Sequence, residues 1–598
     1  MESLGAQTTP ETIASAIFSA DKLGSGLMAF EAADGTTVSY QESLLAVGKL
    51  IVLLRKLGLT SADRVAFMAP RGPLGVIGFL AISSVAMCCP LNPRLKADEL
   101  EATIDSMQVT ALVDVGANAV AQQVAEGRGL PTLNLAAQTS GLEVDGAALR
   151  ARSVLSSDLV DAPKVALIMQ TSGTTSKPKL VALTHKNILS AAGAIRDAFS
   201  LNEADSCLNP MPLHHVHGLI SASISSLLSG SRVICTDNFS TAEFERILQS
   251  RRPSWFTASP AMHLATLEHY KNNGRAPPRG CLRFFRSSSA PLPASAIGEL
   301  ERLFDAPLVE TYGLTETASM ICSNPLPPGI RKLGSVGIAF GADIRIGDER
   351  GDTLPAHGNG EILVRGPSVI THYGVSDTPV PNTFFNDWLR TGDVGYMDEH
   401  GYLFIVGRTK ELFKRGGLSI YPAEVDNALT SHPGVAEAVA FSIPHPTLGE
   451  ELVAAVVARA HASPTDVELR AHIARQLSTY KVPARVLVIA AIPKNETGKI
   501  LRREMAASLA EHFRPQNVAP RSAVEATLLE VWNRVIDRGD FGVTDNVFLL
   551  GADPLRAERC AEILKSAHHL AVSTREIMAN PTIEQQAVLL SSRLVTSL

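Results

Sequence analysis

Short apolar runs alternate with longer amphipathic segments over the first 340 residues or so, and this alternation constrains the fold more than any other feature. Runs such as RVAFMA (64–69), TALVDV (110–115) and KVALIMQ (164–170) have the length of buried strands. Helical patterns such as YQESLLAVGKLIVLLRKLG and TAEFERILQSRR lie between such runs. Strands that alternate with helices predict an α/β fold with substantially parallel sheets.

The pattern changes further along the chain. From about residue 340, shorter strands and turns predict a β region, and later stretches such as VAAVVARA and TDVELRAHIARQLS are typical of a small α+β domain. The segment FRPQNVAPRS, with two prolines, predicts a linker, and the residues after it have a helical pattern throughout. We therefore predict a large domain over 1–408, a small domain over 409–513, a linker over 514–524 and a four-helix tail over 525–598.

Charge and composition exclude several classes of protein. A net charge of −6 argues against binding nucleic acid by phosphate neutralisation, and the amino terminus lacks the pattern of a secretory signal. The longest apolar stretch, Gly72 to Cys89, holds small polar residues, so we expect a buried helix there rather than a membrane span. Seven cysteines without CxxC spacing fit a reducing compartment, and we expect a cytosolic protein.

The stretch TSGTTSKPKL (171–180) has the composition of an anion-binding loop. Backbone N–H groups around a glycine can converge on phosphate oxygens, hydroxyl groups add donors, and lysine supplies a mobile positive charge. The order of glycine, lysine and hydroxyl residues differs from that of the G-x-x-x-x-G-K-[ST] phosphate loop, so a site of that type is excluded. Composition alone leaves a polar surface loop as the alternative.

Five further stretches favour the anion-binding loop over the polar surface loop. Together with the loop, they resemble the motifs of the adenylate-forming superfamily. That superfamily includes acyl-CoA synthetases, coumarate-CoA ligases, luciferases and the adenylation domains of peptide synthetases. The stretches are PMPLHHVHGL (210–219), ETYGLTET (310–317), LRTGDVGY (389–396), GRTKELFKRGG (407–417) and PKNETGKI (493–500). Six motifs in the family's order over about 330 residues are a specific signal, whereas one alone would be weak.

The resemblance implies an acid–thiol ligase that uses ATP, Mg²⁺ and CoA. Glu316 would coordinate Mg²⁺, Thr315 would donate to the α-phosphate, and Asp393 and Arg408 would hold the ribose. The remaining residues implied in nucleotide binding are Thr171, Ser172, Gly173, Thr174, Thr175 and Lys179 around the phosphates, and Ser288, Ser289, Ala290, Glu310, Thr311, Tyr312 and Gly313 around the adenine.

Two half-reactions follow from the same resemblance. Lys499 would bridge the attacking carboxylate and the α-phosphate during adenylation, where a positive charge stabilises the transition state. Lys410 matches the hinge about which the small domain rotates, and Gly416 and Gly417 would then lie against the pantetheine arm of CoA, since glycine has no side chain to obstruct it. His215 matches the histidine beside the substrate carboxylate.

The acid is expected to be small and polar. The predicted acyl side contains four polar residues: His214, His217, Arg286 and Ser287. A long apolar chain bound there would leave their buried donors without hydrogen bonds, which costs roughly 1–3 kcal/mol for each donor. The run from FFRSSSAPL to LGSVG most resembles oxalate-CoA ligases, so oxalate or a similar acid is predicted. A fatty or aryl acid, with these residues outside the acyl pocket, stays open as the alternative.

The tail resembles an acyl- or peptidyl-carrier domain that lacks its attachment site. Where that family has G-G-D-S-L, this chain has G-A-D-P-L, so Pro554 replaces the serine that carries phosphopantetheine. Asp553 is predicted to cap the next helix, and proline is well tolerated at a first helical position. Such a tail would bind a partner protein, self-associate or modulate domain rotation, and the sequence leaves these roles open.

The prediction is thus an enzyme with a small carboxylic acid, ATP and CoA as partners, and with no nucleic acid and no membrane span. Three alternatives remain at this stage: an enzyme that loads a separate carrier protein, a luciferase-type oxidation on the same scaffold, and a nucleotide-binding scaffold without activity. The acidic and basic motif residues Glu316, Asp393, Arg408 and Lys499 argue against the scaffold.

Overall fold

The apolar runs form strands, as the sequence predicts. The computed structural model describes residues 12–116, 118–135, 164–171, 179–374, 382–446, 448–494, 500, 502–513 and 516–596. Within them, RVAFMA becomes the strand Arg64–Met68, TALVDV the strand Ala111–Asp114 and KVALIMQ the strand Val165–Thr171. The predicted helices also form, over Tyr40–Lys56 and Thr241–Arg251.

The chain divides into two compact units, Met1–Ile405 and Val406–Leu598. The large unit contains a nine-stranded sheet whose central pairs are parallel and whose two edges are antiparallel. In spatial order its strands are Ile338–Ala339, Ser319–Ser323, Leu308–Leu314, Phe284–Ser287, Trp255–Ala258, Ser206–Asn209, Arg232–Cys235, Met28–Glu31 and Thr37–Ser39.

A six-stranded sheet of the large unit is parallel except for its last pair. Its strands, in spatial order, are Thr132–Asn134, Ala111–Asp114, Arg64–Met68, Met87–Leu91, Val165–Thr171 and Lys179–Thr184. The last two strands pair in antiparallel orientation, and residues 172–178 lie between them in the sequence. A further, antiparallel sheet follows residue 340, with the strands Asp343–Gly347, Gly360–Arg365, Trp388–Met397 and Phe384–Phe385.

Helices cover these sheets, and their ends follow the capping residues in the sequence. Ser39 and Glu42 form a reciprocal capping box before Tyr40–Lys56, which satisfies backbone N–H groups that the helix itself leaves unpaired. The helices of the large unit are Ile13–Ile17, Ala20–Gly24, Tyr40–Lys56, Pro73–Ser83, Ala97–Met107, Ala119–Gly127, His185–Ala198, Ser225–Leu228, Thr241–Arg251, Pro260–Asn273 and Ala294–Phe304, with a π-helical segment at His217–Ile224 and a 3-10 turn at Thr315–Thr317.

The long apolar stretch beginning at Gly72 is a helix followed by a strand. Pro73–Ser83 is helical and buried from Gly75 onwards, and the chain then enters the sheet as Met87–Leu91. This arrangement explains the apolar composition, because the helix and the strand both lie in the core. Among the described residues, every helix is too short or too polar to cross a bilayer.

The small unit combines an α+β subdomain with the helical tail. Its sheet contains Leu418–Ile420, Phe413–Arg415, Gly449–Ala458 and Val435–His445, with Val486–Val488 added in parallel, and the strand Leu403–Arg408 crosses the boundary between the units. The subdomain's helices are Pro422–Thr430, Asp466–Ala474 and Arg502–Ser508, with 3-10 turns at Thr479–Lys481 and Ala510–Phe513. The tail helices are Ala523–Ile536, Pro554–His568, Thr574–Ala579 and Ile583–Thr596.

Candidate active site

Four of the parallel strands end at one edge of the nine-stranded sheet, and their carboxyl ends bring several sequence motifs together. PMPLHHVHGL follows Ser206–Asn209. Thr257 and Arg286 lie one residue before the ends of the next two strands, and Glu310 is the third residue of the strand Leu308–Leu314. The register pairs Thr257 with Arg286 and Ser287 with Glu310. Ligands of open α/β sheets bind at the carboxyl ends of strands, so this edge is the candidate active site.

On the nucleotide side, the structure joins two motifs that lie far apart in the sequence. The hydroxyl group of Tyr312 donates to Oδ2 of Asp393 at 2.7 Å, and Asp393 is only 3% exposed. This hydrogen bond fixes the carboxylate whose predicted partners are the ribose hydroxyls. Next to Tyr312, a Cβ atom on Gly313 would lie 1.8 Å from the carbonyl oxygen of Ser319, so only glycine fits between these two strands.

Glu310 is a half-buried carboxyl group on the predicted adenine wall. Burial raises the pKa of Glu310 to about 7, and the N–H of Leu292, at 3.5 Å from Oε1, offsets only part of this effect. Its neighbour Thr311 donates to the carbonyl oxygen of Ser287 at 3.1 Å. The facing segment contains Ser288, Ser289 and Ala290, of which Ser289 has a positive φ of 82°. The residues of the predicted adenine wall therefore lie on one strand and on the segment that follows the adjacent strand.

The phosphate side is organised around Tyr373, a residue outside the sequence motifs. Its hydroxyl group donates to Oε1 of Glu316 at 2.9 Å, and Nζ of Lys179 lies 4.3 Å from its ring centroid. Thr171, on the partner strand of Lys179, donates to the carbonyl oxygen of that lysine at 3.5 Å. The predicted phosphate ligands Thr171 and Lys179 thus lie close to the predicted metal ligand, with Thr315 in the adjacent turn.

Glu316 fits the role of a magnesium ligand. It is half-buried and accepts one phenol hydrogen bond, so its carboxylate keeps lone pairs for a cation. Mg²⁺ typically binds through one or two carboxylates together with substrate phosphates and water, which is the kind of site that one such group offers.

The acyl side contains a fully buried arginine. Arg286 is 1% exposed; its Nη1 donates to Oγ1 of Thr257 at 3.0 Å, and its Nη2 donates to Oγ of Ser221 at 3.3 Å. Its Nε atom contacts Sδ of Met320 at 3.2 Å. Within the described part of the chain these partners are all uncharged, and burial lowers the pKa of Arg286 to about 9.

His217 and its neighbours extend this polar cluster. Nε2 of His217 lies 2.6 Å from Oγ1 of Thr257, which already accepts a hydrogen bond from Arg286. Since a hydroxyl group has one donor and two acceptor positions, Thr257 can accept from Arg286 and still form a hydrogen bond with a neutral imidazole of His217 in either tautomer. Burial, followed by the charge of Arg286, lowers the pKa of His217 well below its ordinary value. Ser221 also contacts Ser319, so two serines complete the cluster.

His214 and His215 precede His217 in the chain, and their rings contact each other with centroids 4.6 Å apart and planes tilted by 51°. Burial lowers the pKa of His214 to about 3 and that of His215 to about 4, so both rings are neutral at pH 7. Nε2 of His214 and Oγ of Ser287 are buried without a hydrogen-bond partner among the described residues. Buried polar atoms of native proteins normally have partners, so each of these two atoms has hydrogen-bonding capacity left for a ligand or a water molecule.

Within the small unit, the structure describes the predicted hinge and glycine loop. Lys410 is exposed, and Arg408 ends the strand that crosses the unit boundary. Gly416 and Gly417 have positive φ angles of 57° and 84°, and together they connect the strands Phe413–Arg415 and Leu418–Ile420. The remaining predicted residues, Ser172, Gly173, Thr174, Thr175 and Lys499, lie outside the described residues.

Sequence reasoning missed three residues of this site: Thr257, Ser221 and Tyr373. Thr257 lies near the end of a short apolar strand that the structure pairs in parallel with the strand of Arg286. The other two lie in segments without a motif, and only the folded chain shows their contacts.

Comparison with known proteins identifies the family. Residues 18–374 match the AMP-binding enzyme family, and residues 424–499 match the AMP-binding enzyme C-terminal domain. The chain belongs to the AMP-binding enzyme family. Both matched ranges end before the helical tail.

Curated relatives give the class of enzyme. An oxalate–CoA ligase of Arabidopsis thaliana is 37% identical over 470 residues, covering 77% of this chain and 90% of that protein. A sulfoacetate–CoA ligase of Cupriavidus necator is 36% identical over 456 residues, covering 75% of this chain and 88% of that protein. The predicted class, an AMP-forming acid–thiol ligase, is confirmed.

Solved structures confirm the predicted fold class. The crystal structure of ATP-bound MatB from Rhodopseudomonas palustris aligns with a TM-score of 0.73 at 27% identity, covering 84% of this chain and 99% of that chain. The match agrees with a mixed α/β fold that has a large amino-terminal domain and a smaller carboxyl-terminal domain.

Proposed function

We propose that this enzyme activates a small carboxylic acid bearing a second anionic group, first as an acyl-adenylate and then as a CoA thioester. The observation that carries the proposal is the buried guanidinium group of Arg286, whose contacts in the described part of the chain are uncharged. Burying a charge is costly unless an opposite charge accompanies it. A substrate anion would provide that charge and make charge-assisted hydrogen bonds with the guanidinium.

The surroundings of Arg286 favour a short, polar acid over a long apolar chain. Thr257 and Ser221 already bind the guanidinium, and His217 is linked to it through Thr257. His214 and Ser287 add buried polar atoms with unmet hydrogen-bonding capacity among the described residues. An alkyl or aryl group beside these atoms would leave them without hydrogen bonds, and each unsatisfied atom would cost roughly 1–3 kcal/mol of binding free energy.

The substrates in the names of the relatives support the same chemistry. Oxalate is a dicarboxylate, and sulfoacetate combines a carboxylate with a sulfonate, so each acid has one group to activate and a second negative charge. A guanidinium group can bind either kind of second group, because both present several acceptor oxygens. The proposal therefore specifies the charge and size of the acid and leaves oxalate as one member of that class.

For the first half-reaction, we assign complementary roles to the residues around the phosphates. Lys179 and Thr171, with the loop between them, would bind the β- and γ-phosphates, and Asp393 would accept hydrogen bonds from the ribose. Mg²⁺ bound at Glu316 would neutralise phosphate charge. Lys499 would clamp the attacking carboxylate to the α-phosphate, which contributes most where charge develops in the transition state.

For the second half-reaction, we propose that the chain rotates at Lys410 and that Gly416 and Gly417 accommodate the pantetheine arm. Their positive φ angles and lack of side chains leave the backbone accessible to a thin ligand. Pro554 supplies no hydroxyl group, so we propose that the acceptor is free CoA rather than the chain's own tail. The same proposal includes the predicted division of the chain into a large domain (1–408), a small domain (409–513), a linker (514–524) and a tail (525–598).

A pyrophosphate-release screen tests the proposed function. The full chain is incubated with ATP, Mg²⁺ and CoA together with oxalate, malonate, sulfoacetate, acetate, a long fatty acid or a cinnamate, and thioester products are identified by mass. We expect turnover to concentrate on the acids with two anionic groups. Efficient turnover of a fatty acid or cinnamate while the dianionic acids remain inactive would contradict the proposal.

A further inference from the structure

The tail is docked on the small subdomain within the second unit of the chain. Nδ2 of Asn546 donates to the carbonyl oxygen of Ala484 at 2.6 Å, and Nη2 of Arg470 donates to that of Met578 at 3.3 Å. Ala484 also belongs to the same buried apolar cluster as Trp532 of the tail. These contacts combine hydrogen bonds with apolar burial, so the tail is a part of the small unit rather than a separate arm.

A third contact links the tail to the small subdomain through His445. Nε2 of His445 lies 2.7 Å from the carbonyl oxygen of Phe548 in the tail, and Nδ1 accepts the backbone N–H of Leu448 at 3.0 Å. The first bond requires a proton on Nε2 and the second requires none on Nδ1, so both are satisfied by one neutral tautomer. Burial lowers the pKa of His445, which favours that neutral form.

Leu448 in turn holds the glycine loop. Its carbonyl oxygen accepts the N–H of Gly416 at 3.0 Å, and its Cδ2 atom would lie 3.1 Å from a Cβ atom at that position. The next residue, Gly449, pairs with Arg415 at the end of the loop's first strand. The position of the glycine loop therefore depends on Leu448, which is fixed by His445.

The tail presents its altered attachment position close to the same histidine. Asp553 caps the helix Pro554–His568 by accepting the N–H of Arg556 at 2.8 Å, and Pro554 takes the first helical position, as the sequence predicts. The charges of Asp553 and Arg556 in the tail, and of Arg415 in the small subdomain, all act on the imidazole of His445. The helix start that would carry a cofactor in a carrier domain thus lies near the contact.

We propose that His445 is a positioning residue for thioester formation and that the tail acts as a fixed brace for the glycine loop. Three hydrogen bonds in series connect Phe548 of the tail to Gly416, by way of His445 and Leu448. A loop held in its binding geometry before CoA arrives loses less conformational entropy on binding. This role rests on the proposed function, in which Gly416 and Gly417 contact pantetheine.

Two substitutions at His445 separate the two ends of this connection. In His445→Gln, the amide nitrogen can replace Nε2 and retain the bond to Phe548, while the acceptor for Leu448 is lost. In His445→Asn, the amide oxygen can replace Nδ1 and retain the bond to Leu448, while the bond to the tail is lost. We expect each variant to raise the KM for CoA about fivefold and to leave acid-dependent ATP–pyrophosphate exchange, measured without CoA, within twofold of the parent.

A matched control is available in the same subdomain. Nδ1 of His432 accepts the N–H of Gly434 at 3.1 Å, in a local arrangement like that of His445 with Leu448. The ring of His432 packs against His472 of the same subdomain rather than against the glycine loop. His432→Gln should leave the KM for CoA unchanged. An equal rise in this control, or a wild-type KM in His445→Asn, would overturn the role assigned to the tail.

Hydrogen–deuterium exchange of the full chain provides a readout that does not depend on activity. Asn546→Ala removes the docking contact at Ala484 and, within the tail, the hydrogen bond that the N–H of Phe548 donates to Oδ1 of Asn546, while the side chain of His445 is retained. We expect faster exchange in the peptide covering residues 413–420, several-fold above the parent. Faster exchange in the tail with unchanged exchange at 413–420 would refute the brace. If the parent chain forms no CoA thioester, the proposed function fails, and this exchange measurement still decides whether the tail supports the loop.

Discussion

The buried guanidinium group of Arg286 gives a prediction whose size follows from the structure. Burial lowers the pKa of Arg286 from its ordinary value to about 9. At 1.36 kcal/mol per pKa unit, the charged form costs the folded chain on the order of 5 kcal/mol. A buried charge without an opposite charge is therefore a liability for stability that a bound anion would offset.

Arg286→Met removes the charge and keeps a side chain of similar length next to Met320. The free energy of unfolding should not decrease, because an apolar replacement of a buried charge is often neutral or stabilising. Two charge-assisted hydrogen bonds to a substrate anion contribute roughly 1.5–3 kcal/mol each. Their loss should lower kcat/KM for a dianionic acid by about a hundredfold or more, while kcat/KM for acetate changes little.

The assay is pyrophosphate release at varied acid concentration, accompanied by thermal unfolding of both proteins. Arg283→Met serves as the control, because Arg283 immediately precedes the same strand but forms an ion pair with Asp205 at 3.0 Å. It should lower Tm and leave the ratio of dianionic to monocarboxylic turnover unchanged. An equal loss of activity for both kinds of acid in Arg286→Met would refute the assignment of Arg286 to the second anionic group.

Three further predictions concern other parts of the chain. Lys499→Ala should abolish acid-dependent pyrophosphate release but largely spare thioester formation from supplied acyl-adenylate; equal loss of both would contradict its assigned role. Because burial raises the pKa of Glu310 to about 7, its protonated carboxyl group contributes roughly 3 kcal/mol of stability, which is fully present below pH 4.5 and is lost as pH rises through about 7. Glu310→Gln removes this ionisation and should therefore flatten the decrease in Tm between pH 5 and pH 8. An unchanged slope would exclude that carboxyl group as the cause. Incubation with CoA and a phosphopantetheinyl transferase should leave the intact mass unchanged because of Pro554, and a mass increase by one phosphopantetheine would show attachment elsewhere.

The types of the secondary-structure elements could be predicted because they depend on short windows of sequence. The run at 164–170 becomes the strand Val165–Thr171, and the helical pattern beginning at Tyr40 becomes Tyr40–Lys56. Alternation and capping residues act over a few positions, so a local pattern is sufficient to specify them. The motifs around Glu316 and Asp393 were recognisable for the same reason, since each is a contiguous stretch.

A contact within the site could be predicted only where both of its residues lie in recognised motifs. Tyr312 and Asp393 were both expected near the nucleotide, and the structure adds the hydrogen bond between them. Tyr373, which donates to Glu316, lies in a segment with no recognisable pattern. A single side chain contributes too little to a local pattern to be detected there.

The sequence alone determined the alternation of strands and helices, the order of the six motifs and the presence of a proline at position 554. Only the tertiary structure placed Ser221 against Arg286, 65 positions away, and Phe548 against His445, 103 positions away. The physical reason is that such pairs form when a helical segment packs on a strand from a distant part of the chain, as Ser221 does with Arg286, or when the tail packs on another element. Those choices depend on the free energy of the whole fold and leave no signature within either segment.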